Sequence, residues 1–257
     1  MPRIHPTAII DRSAVIGPTT VIGAYSVIGP DVILGDGCRI HNHVSIFGPT
    51  RIGEENEFYP FCSIGQRSQD LKYREEPTHL EIGNKNTFRE FVTANRGTAP
   101  GSTTRIGSHG TFLAYAHIAH DCTVGSHVVF SNNGTLGGHV TVGDHAVIGG
   151  LSGIHQFCRI GDHAIIGGCT KIVQDVPPFM IADGNPAEVR GVNMVGLERR
   201  GFSGEAVRDL REAYKILYRS NKNTAQAIDQ LRQQFVTSAA VSSLITFIAA
   251  SERGIVR

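Results

Sequence analysis

Every sixth residue of this chain is of one kind. Steps of six from Ile4 to Ile172 give 29 positions, and 25 of them hold Ile, Leu, Val or Phe. The run opens IHPTAI, IDRSAV, IGPTTV, IGAYSV, with a small residue four places after each apolar one, as in Ala8, Ala14, Thr20, Ser26 and Cys38. A helix would repeat its apolar residues every 3.6 positions and a half-buried strand every two. A period of six, with one large and one small inward residue, fits a short flat strand ended by a turn. Three such strands make a triangular coil of about 18 residues, and coils stack as parallel strands about 4.8 Å apart. Glycine, at 30 of 257 residues, supplies corner conformations that β-branched residues resist. The exceptions to the ruler, Asp70, Glu76, Ala94 and Pro100, fall in two stretches. They predict two loops pushed out of the scaffold, near 66–81 and 94–105.

The pattern resembles the hexapeptide-repeat, left-handed parallel β-helix. The resemblance supplies the handedness, because the general rule for parallel crossovers points the other way. Pro177-Pro178 stops the repeat, and beyond it the composition turns helical. Ser203 reads as an N-cap before GEAVRDLREAYKILYRS, and two further helices are expected near Thr224–Phe235 and Ser238–Ser251. The expected architecture is an all-β left-handed parallel β-helix over 1–190 and a small α-helical C-terminal domain over 191–257, which covers the end of the solenoid.

A formal net charge of +1 offers no field for nucleic acid or an anionic membrane. No apolar run approaches the roughly 20 residues of a membrane span, and the N-terminus lacks the apolar region of a signal peptide. Five cysteines without a CxxC pair point to reduced thiols in a cytoplasmic protein. Cys38, Cys62, Cys122 and Cys158 take the small inward position and are read as core fillers.

Chemistry is suggested by AYAHIAHDCTVG, residues Ala114 to Gly125. Counting about 18 residues per coil puts His120, His139 and His155 near one corner of successive coils. His117 lies half a strand earlier, and Gly137-Gly138 and Gln156 lie alongside. A second column, His109, His127, His145 and His163, is strictly periodic and reads as corner or inter-subunit stacking. Zinc needs three or four ligands on one point about 2 Å away, and one histidine per coil spreads them too far, so no metal is expected. A neutral imidazole suits proton abstraction near pH 7. Asp121 supports His120 only if a turn re-aims it, since neighbours on a strand face opposite ways. The glycines beside His139 offer a backbone N–H to an oxyanion. No Ser or Cys nucleophile motif appears, which favours direct attack over an acyl-enzyme.

HIAHDCTVG, IHQFC, SQDLKYREEPT, VPPFMIADGNPA and GVNMVGLERRGFS together resemble the UDP-N-acetylglucosamine 3-O-acyltransferases that begin lipid A synthesis. The resemblance implies a homotrimer with its site in the groove between neighbouring solenoids. It implies transfer of an (R)-3-hydroxyacyl chain from acyl carrier protein, whose 4′-phosphopantetheine arrives with the donor, to the glucosamine 3-OH of the UDP-sugar. No bound cofactor is implied. Carried onto matching positions, His120 is the general base, Asp121 polarises it, and the Gly138 N–H holds the oxyanion. His139 lies beside the acyl or pantetheine path. Gln69, Asp70, Lys72, His117, His155 and Gln156 surround the sugar and diphosphate, several of them from a neighbouring subunit. Asn193, Arg199 and Arg200 meet the nucleotide. Gly168 leaves the acyl groove open, which implies a chain of about C12–C14, each CH₂ contributing about 0.8 kcal/mol. Val195 and Glu198 depart from the family pattern, where an acidic and a basic residue are expected, and predict weaker nucleotide binding. A 3-amino sugar acceptor uses the same base and stays open. The related N-acyltransferases carry an extra N-terminal domain, for which hexads starting at Ile4 leave no room.

Overall fold

The structure, a computed structural model, describes residues 1–257. Strands of two to five residues form three sheets of 11, 9 and 8 strands, here A, B and C, which are the faces of a triangular prism. The repeat explains the register. Leu34 pairs with Ile52 and Ile106 with Val124, each stacking a ruler position on its equivalent one coil away. Across the two excursions Ile52 pairs with Ile82, and Ile82 with Ile106. Those coils are 30 and 24 residues long instead of 18. Both are multiples of six, so the apolar column never loses phase.

The excursions are narrower than the sequence pattern suggests. They occupy 67–78 and 96–102, between strands Ser63–Gln66 and His79–Ile82 and between Thr93–Asn95 and Thr103–Ile106. Ala94 belongs to the wall: it is fully buried and pairs with Ile64 and Ile118. Both excursions leave at the edge between sheets B and C.

Inside the prism, Phe58, Phe88, Phe112 and Phe130 form one column with centroids 4.7, 4.7 and 5.1 Å apart. Burying each such side chain is worth about 1.5–3 kcal/mol. Cys38, Cys62, Cys122 and Cys158 are buried in the wall as expected. Corners are turned by residues in the left-handed region, including Tyr25, His43, Asp121, His139 and His163 at φ of 57°, 58°, 60°, 60° and 58°.

The solenoid outlasts Pro177-Pro178. Met180–Asp183 adds a parallel strand against Ile165–Ile166, and Glu188–Val192 folds back antiparallel on it, so β-structure reaches Val192. The helices follow as α1 (Met194–Arg199), α2 (Gly204–Tyr218), α3 (Thr224–Gln234) and α4 (Ala239–Ala249). The last three match the sequence expectation, with Ser203 capping α2. Helix α1 was not foreseen, since six residues are too few to display a period. Leu197, Leu210, Leu231, Leu244 and Ile248 are buried in the same cluster as the solenoid core, so the helices close its end. No helix is long and apolar enough to cross a membrane.

Candidate active site

The edge between sheets B and C carries the two excursions and, further along, the histidine track. His120 follows the strand His117–Ile118 and is 4% exposed. Asp121 has φ 60°, and this left-handed turn bends its side chain back beside its neighbour. Its Oδ2 lies 2.9 Å from His120 Nδ1. A carboxylate only accepts, so Nδ1 carries the proton and the lone pair of neutral His120 is on Nε2.

Asp121 is itself held. Its carboxylate accepts the Thr98 N–H at 3.1 and 3.3 Å, and its own N–H donates to Thr104 Oγ1 at 2.8 Å. Burial alone pushes the Asp121 carboxyl up. The adjacent Ser102 hydroxyl, the His120 hydrogen bond and the charges of His139 and His120 outweigh it, and the carboxyl sits below its ordinary range. Thr98 is in the second excursion and is tied to the first through Ser68, Oγ to Oγ1 2.6 Å. Asp70 uses the same Ser68: its N–H donates to Ser68 Oγ at 3.1 Å. Asp70 Oδ1 accepts from Lys72 N–H at 2.8 Å, and its Oδ2 is 3.9 Å from His120 Nε2. Asp70 therefore caps its turn and stands within about 4 Å of His120 Nε2 without bonding to it. Sequence reasoning did not find Ser68, Thr98 and Thr104, because nothing in their spacing distinguishes them from turn residues.

Gly138 lies across the imidazole. A Cβ there would come within 2.3 Å of the His120 ring, so only glycine lets the ring lie flat over the turn. The Gly138 N–H donates to no backbone acceptor, and its carbonyl accepts from Phe157. His139 meets His120 edge to face with centroids 5.2 Å apart, and its Nε2 is 3.7 Å from Asp121 Oδ2. It stacks on Phe157 at 4.6 Å. Of the histidine track, His120 and His139 alone approach one another closely enough to share a ligand with Asp121; His155 is not part of the group. Ligand atoms of His120, Asp121 and His139 lie within 4.8 Å of one another. That donor set also suits a divalent cation, but the Asp121 oxygens are already taken up by Thr98 and His120.

The other sequence candidates divide. His117 projects from sheet B, with Nδ1 2.7 Å from Thr93 Oγ1. Burial, and then the charge of His120, push His117 below its ordinary value. His155 and Gln156 are exposed at the next corner along, with His155 Nδ1 3.1 Å from the Gln156 carbonyl. Gln69 and Lys72 are exposed on the first excursion, and Gln69 and Asp70 line a cavity of about 830 Å³ with Ser68 and Asn95. Gly168 is open: a Cβ would meet only the Gly150 carbonyl, at 3.5 Å.

Asn193, Arg199 and Arg200 are elsewhere. They line a second cavity on the outer face of sheet A, with His145, Val147, Ile165 and Val195. Asn193 is buried and engaged: its Oδ1 accepts from Gly196 N–H at 3.0 Å, capping α1, and its Nδ2 donates to the His163 carbonyl at 2.9 Å. Arg199, Arg200 and Glu198 are exposed. The periodic column His109, His127, His145 and His163 stacks at 4.7, 4.7 and 4.8 Å along the edge between sheets C and A.

Comparison with known proteins adds to this geometry. Residues 175–256 match the family model for domain 2 of UDP-N-acetylglucosamine O-acyltransferase, and residues 13–48 match that of bacterial transferase hexapeptide repeats. Among solved structures, LpxA from Acinetobacter baumannii is 48% identical, with 99% of each chain covered and a TM-score of 0.96. The UDP-N-acetylglucosamine O-acyltransferase of Moraxella catarrhalis is 43% identical, with 99% of each chain covered and a TM-score of 0.95. The Francisella novicida UDP-N-acetylglucosamine acyltransferase is 33% identical over 99% of this chain and 94% of its own, with a TM-score of 0.96.

Proposed function

This chain belongs to the UDP-N-acetylglucosamine O-acyltransferase family and is an acyltransferase, and on that premise we propose that it performs the first acylation of lipid A synthesis. In this reading an (R)-3-hydroxyacyl chain passes from the phosphopantetheine thiol of acyl carrier protein to the glucosamine 3-OH of UDP-N-acetylglucosamine, in the cytoplasm. The observation that carries it is the buried His120, with Nδ1–H fixed by Asp121 and Nε2 free to take a proton.

The hydroxyl oxygen attacks the thioester carbon while His120 Nε2 takes its proton. The ionised Asp121 stabilises the imidazolium, and the Gly138 N–H donates to the oxyanion. Collapse breaks the C–S bond, and the imidazolium returns the proton to the leaving thiolate. Asp70, beside Nε2, accepts from a neighbouring sugar hydroxyl and orients the acceptor. His117, His155, Gln156, Gln69 and Lys72 line the approach to that point, and His139 with Phe157 flanks the donor path.

The assignment of Asn193, Arg199 and Arg200 to the nucleotide requires a second copy. They stand on sheet A, whereas His120 stands at the B–C edge of the same prism. One face of six residues spans up to about 20 Å, with the core in between. The A–B edge separates the two half-sites and carries an exposed stack: Tyr25, His43, Phe61, Phe91 and Tyr115, with centroids 4.8–5.2 Å apart. Tyr25, Phe61 and Tyr115 are 61, 48 and 53% exposed. A homotrimer with these edges toward the axis covers the aromatic stack and sets sheet B of one copy against sheet A of the next. That arrangement completes three sites.

The test is transfer from 3-hydroxyacyl carrier proteins of several lengths to UDP-N-acetylglucosamine. Turnover with a preference near C12–C14 supports the reading. Turnover only with the 3-amino sugar nucleotide moves the acceptor atom, and none with either overturns it.

A further inference from the structure

After α4 the chain returns to the solenoid. Asp175 N–H donates to the Gly254 carbonyl at 3.0 Å, Val256 N–H donates to the Asp175 carbonyl at 2.9 Å, and Asp175 and Ile255 form a parallel bridge. Ser251 Oγ donates to Asp175 Oδ2 at 2.7 Å, and Ile255 and Val256 are buried. Residues 251–256 are thus clamped to the B–C edge, one coil beyond Phe157.

The clamp delivers Arg253. Its Nη2 lies 3.5 Å from the Val173 carbonyl and 3.5 Å from His155 Nδ1. His155 Nδ1 is nearer the Gln156 carbonyl, at 3.1 Å. An Nδ1–H that donates there has no lone pair left for the guanidinium, so Arg253 makes one long hydrogen bond. It is exposed and takes part in none of the ion pairs of the chain. Lys171, two residues before Val173 and in register with Gly153, is likewise exposed and unpaired. The Asp175 carboxylate is turned away, accepting from Arg159 N–H and Ser251. A planar fork with spare donors, positioned by a buried clamp on the catalytic edge, is an anion receptor in form.

We propose that Arg253, with His155 beside it and Lys171 two residues before its Val173 anchor, binds a phosphate of a substrate during the transfer assigned above, on which this inference rests. Two phosphates meet the chemistry: the diphosphate of the sugar nucleotide and the phosphodiester of the carrier's pantetheine arm. The guanidinium takes two oxygens of one phosphate, and His155 borders the same point.

Full-length wild type, Arg253→Gln and Arg253→Lys are compared with each substrate varied in turn, and by calorimetry with UDP and with free 4′-phosphopantetheine. Arg253→Gln raises the KM for one substrate about tenfold to a hundredfold, with kcat changed less than about threefold, and weakens the matching probe similarly. Arg253→Lys, with charge but no fork, falls between. A rise confined to the nucleotide assigns the diphosphate, and one confined to the carrier assigns the arm. Unchanged KM values and probe affinities, or a fall in kcat alone, overturn the proposal. Should Arg253→Gln unfold, the Lys variant decides by the same criteria. A wild type that binds a probe Arg253-dependently yet transfers nothing contradicts the transfer and leaves the phosphate contact standing.

Discussion

Asp121 touches His120 because one corner residue has a positive φ, and Gly138 is glycine because the ring of His120 occupies the place of its Cβ. Both facts set outcomes. Gly138→Ala pushes the imidazole off its line, and a shift of that size costs about a hundredfold in kcat. Steady-state kinetics beside a melting curve separates this from unfolding. Asp121→Asn keeps the shape but no longer demands the proton on Nδ1, so kcat falls by about a hundredfold or more. The same residue bears on stability. Its folded pKa is depressed, so its contribution is present above the unfolded value near 3.8 and is lost as pH falls through the folded one. Melting temperatures measured below about pH 4 are therefore less pH-dependent in Asp121→Asn than in wild type. At this scale the sequence was partly legible. Counting by eighteens placed His120 and His139 on one edge, because every coil from Ile106 to Ile160 is 18 residues long and both longer coils lie before it. It did not reveal the bend at Asp121, since a dihedral angle leaves no mark on residue spacing. Nor did it reveal that His155 diverges from the other two, because it starts its corner while His139 sits at the apex.

At the scale of elements, the two excursions act as one support. Ser68 and Thr98 join them, and Thr98 holds Asp121. The sequence marked both loops through failures of the ruler, yet Ala94, a failure by residue type, stays in the wall because a small side chain still fills that coil. The regular histidine column, at the edge between sheets C and A, carries a pH dependence of its own. Burial, followed by the charges of His145 and Arg200, pushes His163 down to about 4, and burial with Arg200 and His127 lowers His145. These rings stay neutral in the fold, while the unfolded chain takes up protons near 6.5. Stability is therefore lost as pH falls from about 6.5 to about 4 and flattens below that. His163→Phe keeps the stack with Phe179 and Phe202 and removes part of this loss. Thermal melts between pH 7 and 4 measure the difference, and equal slopes in both proteins contradict it. The late hairpin and α1 escaped the sequence reading because neither is long enough to set up a period.

For the whole molecule, the ruler fixes one prism, and the site residues sit on two separate parts of it. In the proposed reading, function depends on copies meeting along the A–B edge. A charge in the aromatic stack, Phe91→Glu, interrupts the run between Phe61 and Tyr115. It is expected to lower the solution mass from trimer to monomer with the β-structure kept, and to abolish transfer. An active monomer contradicts the shared site. The claim beneath all of this is that His120 is the base. The most direct measurement is the rate of a single turnover by His120→Gln with a saturating acyl carrier protein donor and UDP-N-acetylglucosamine, read together with solution mass and UDP affinity. The account predicts a fall of about 10²–10⁴ with mass and affinity unchanged, whereas a rate within about tenfold of wild type contradicts it.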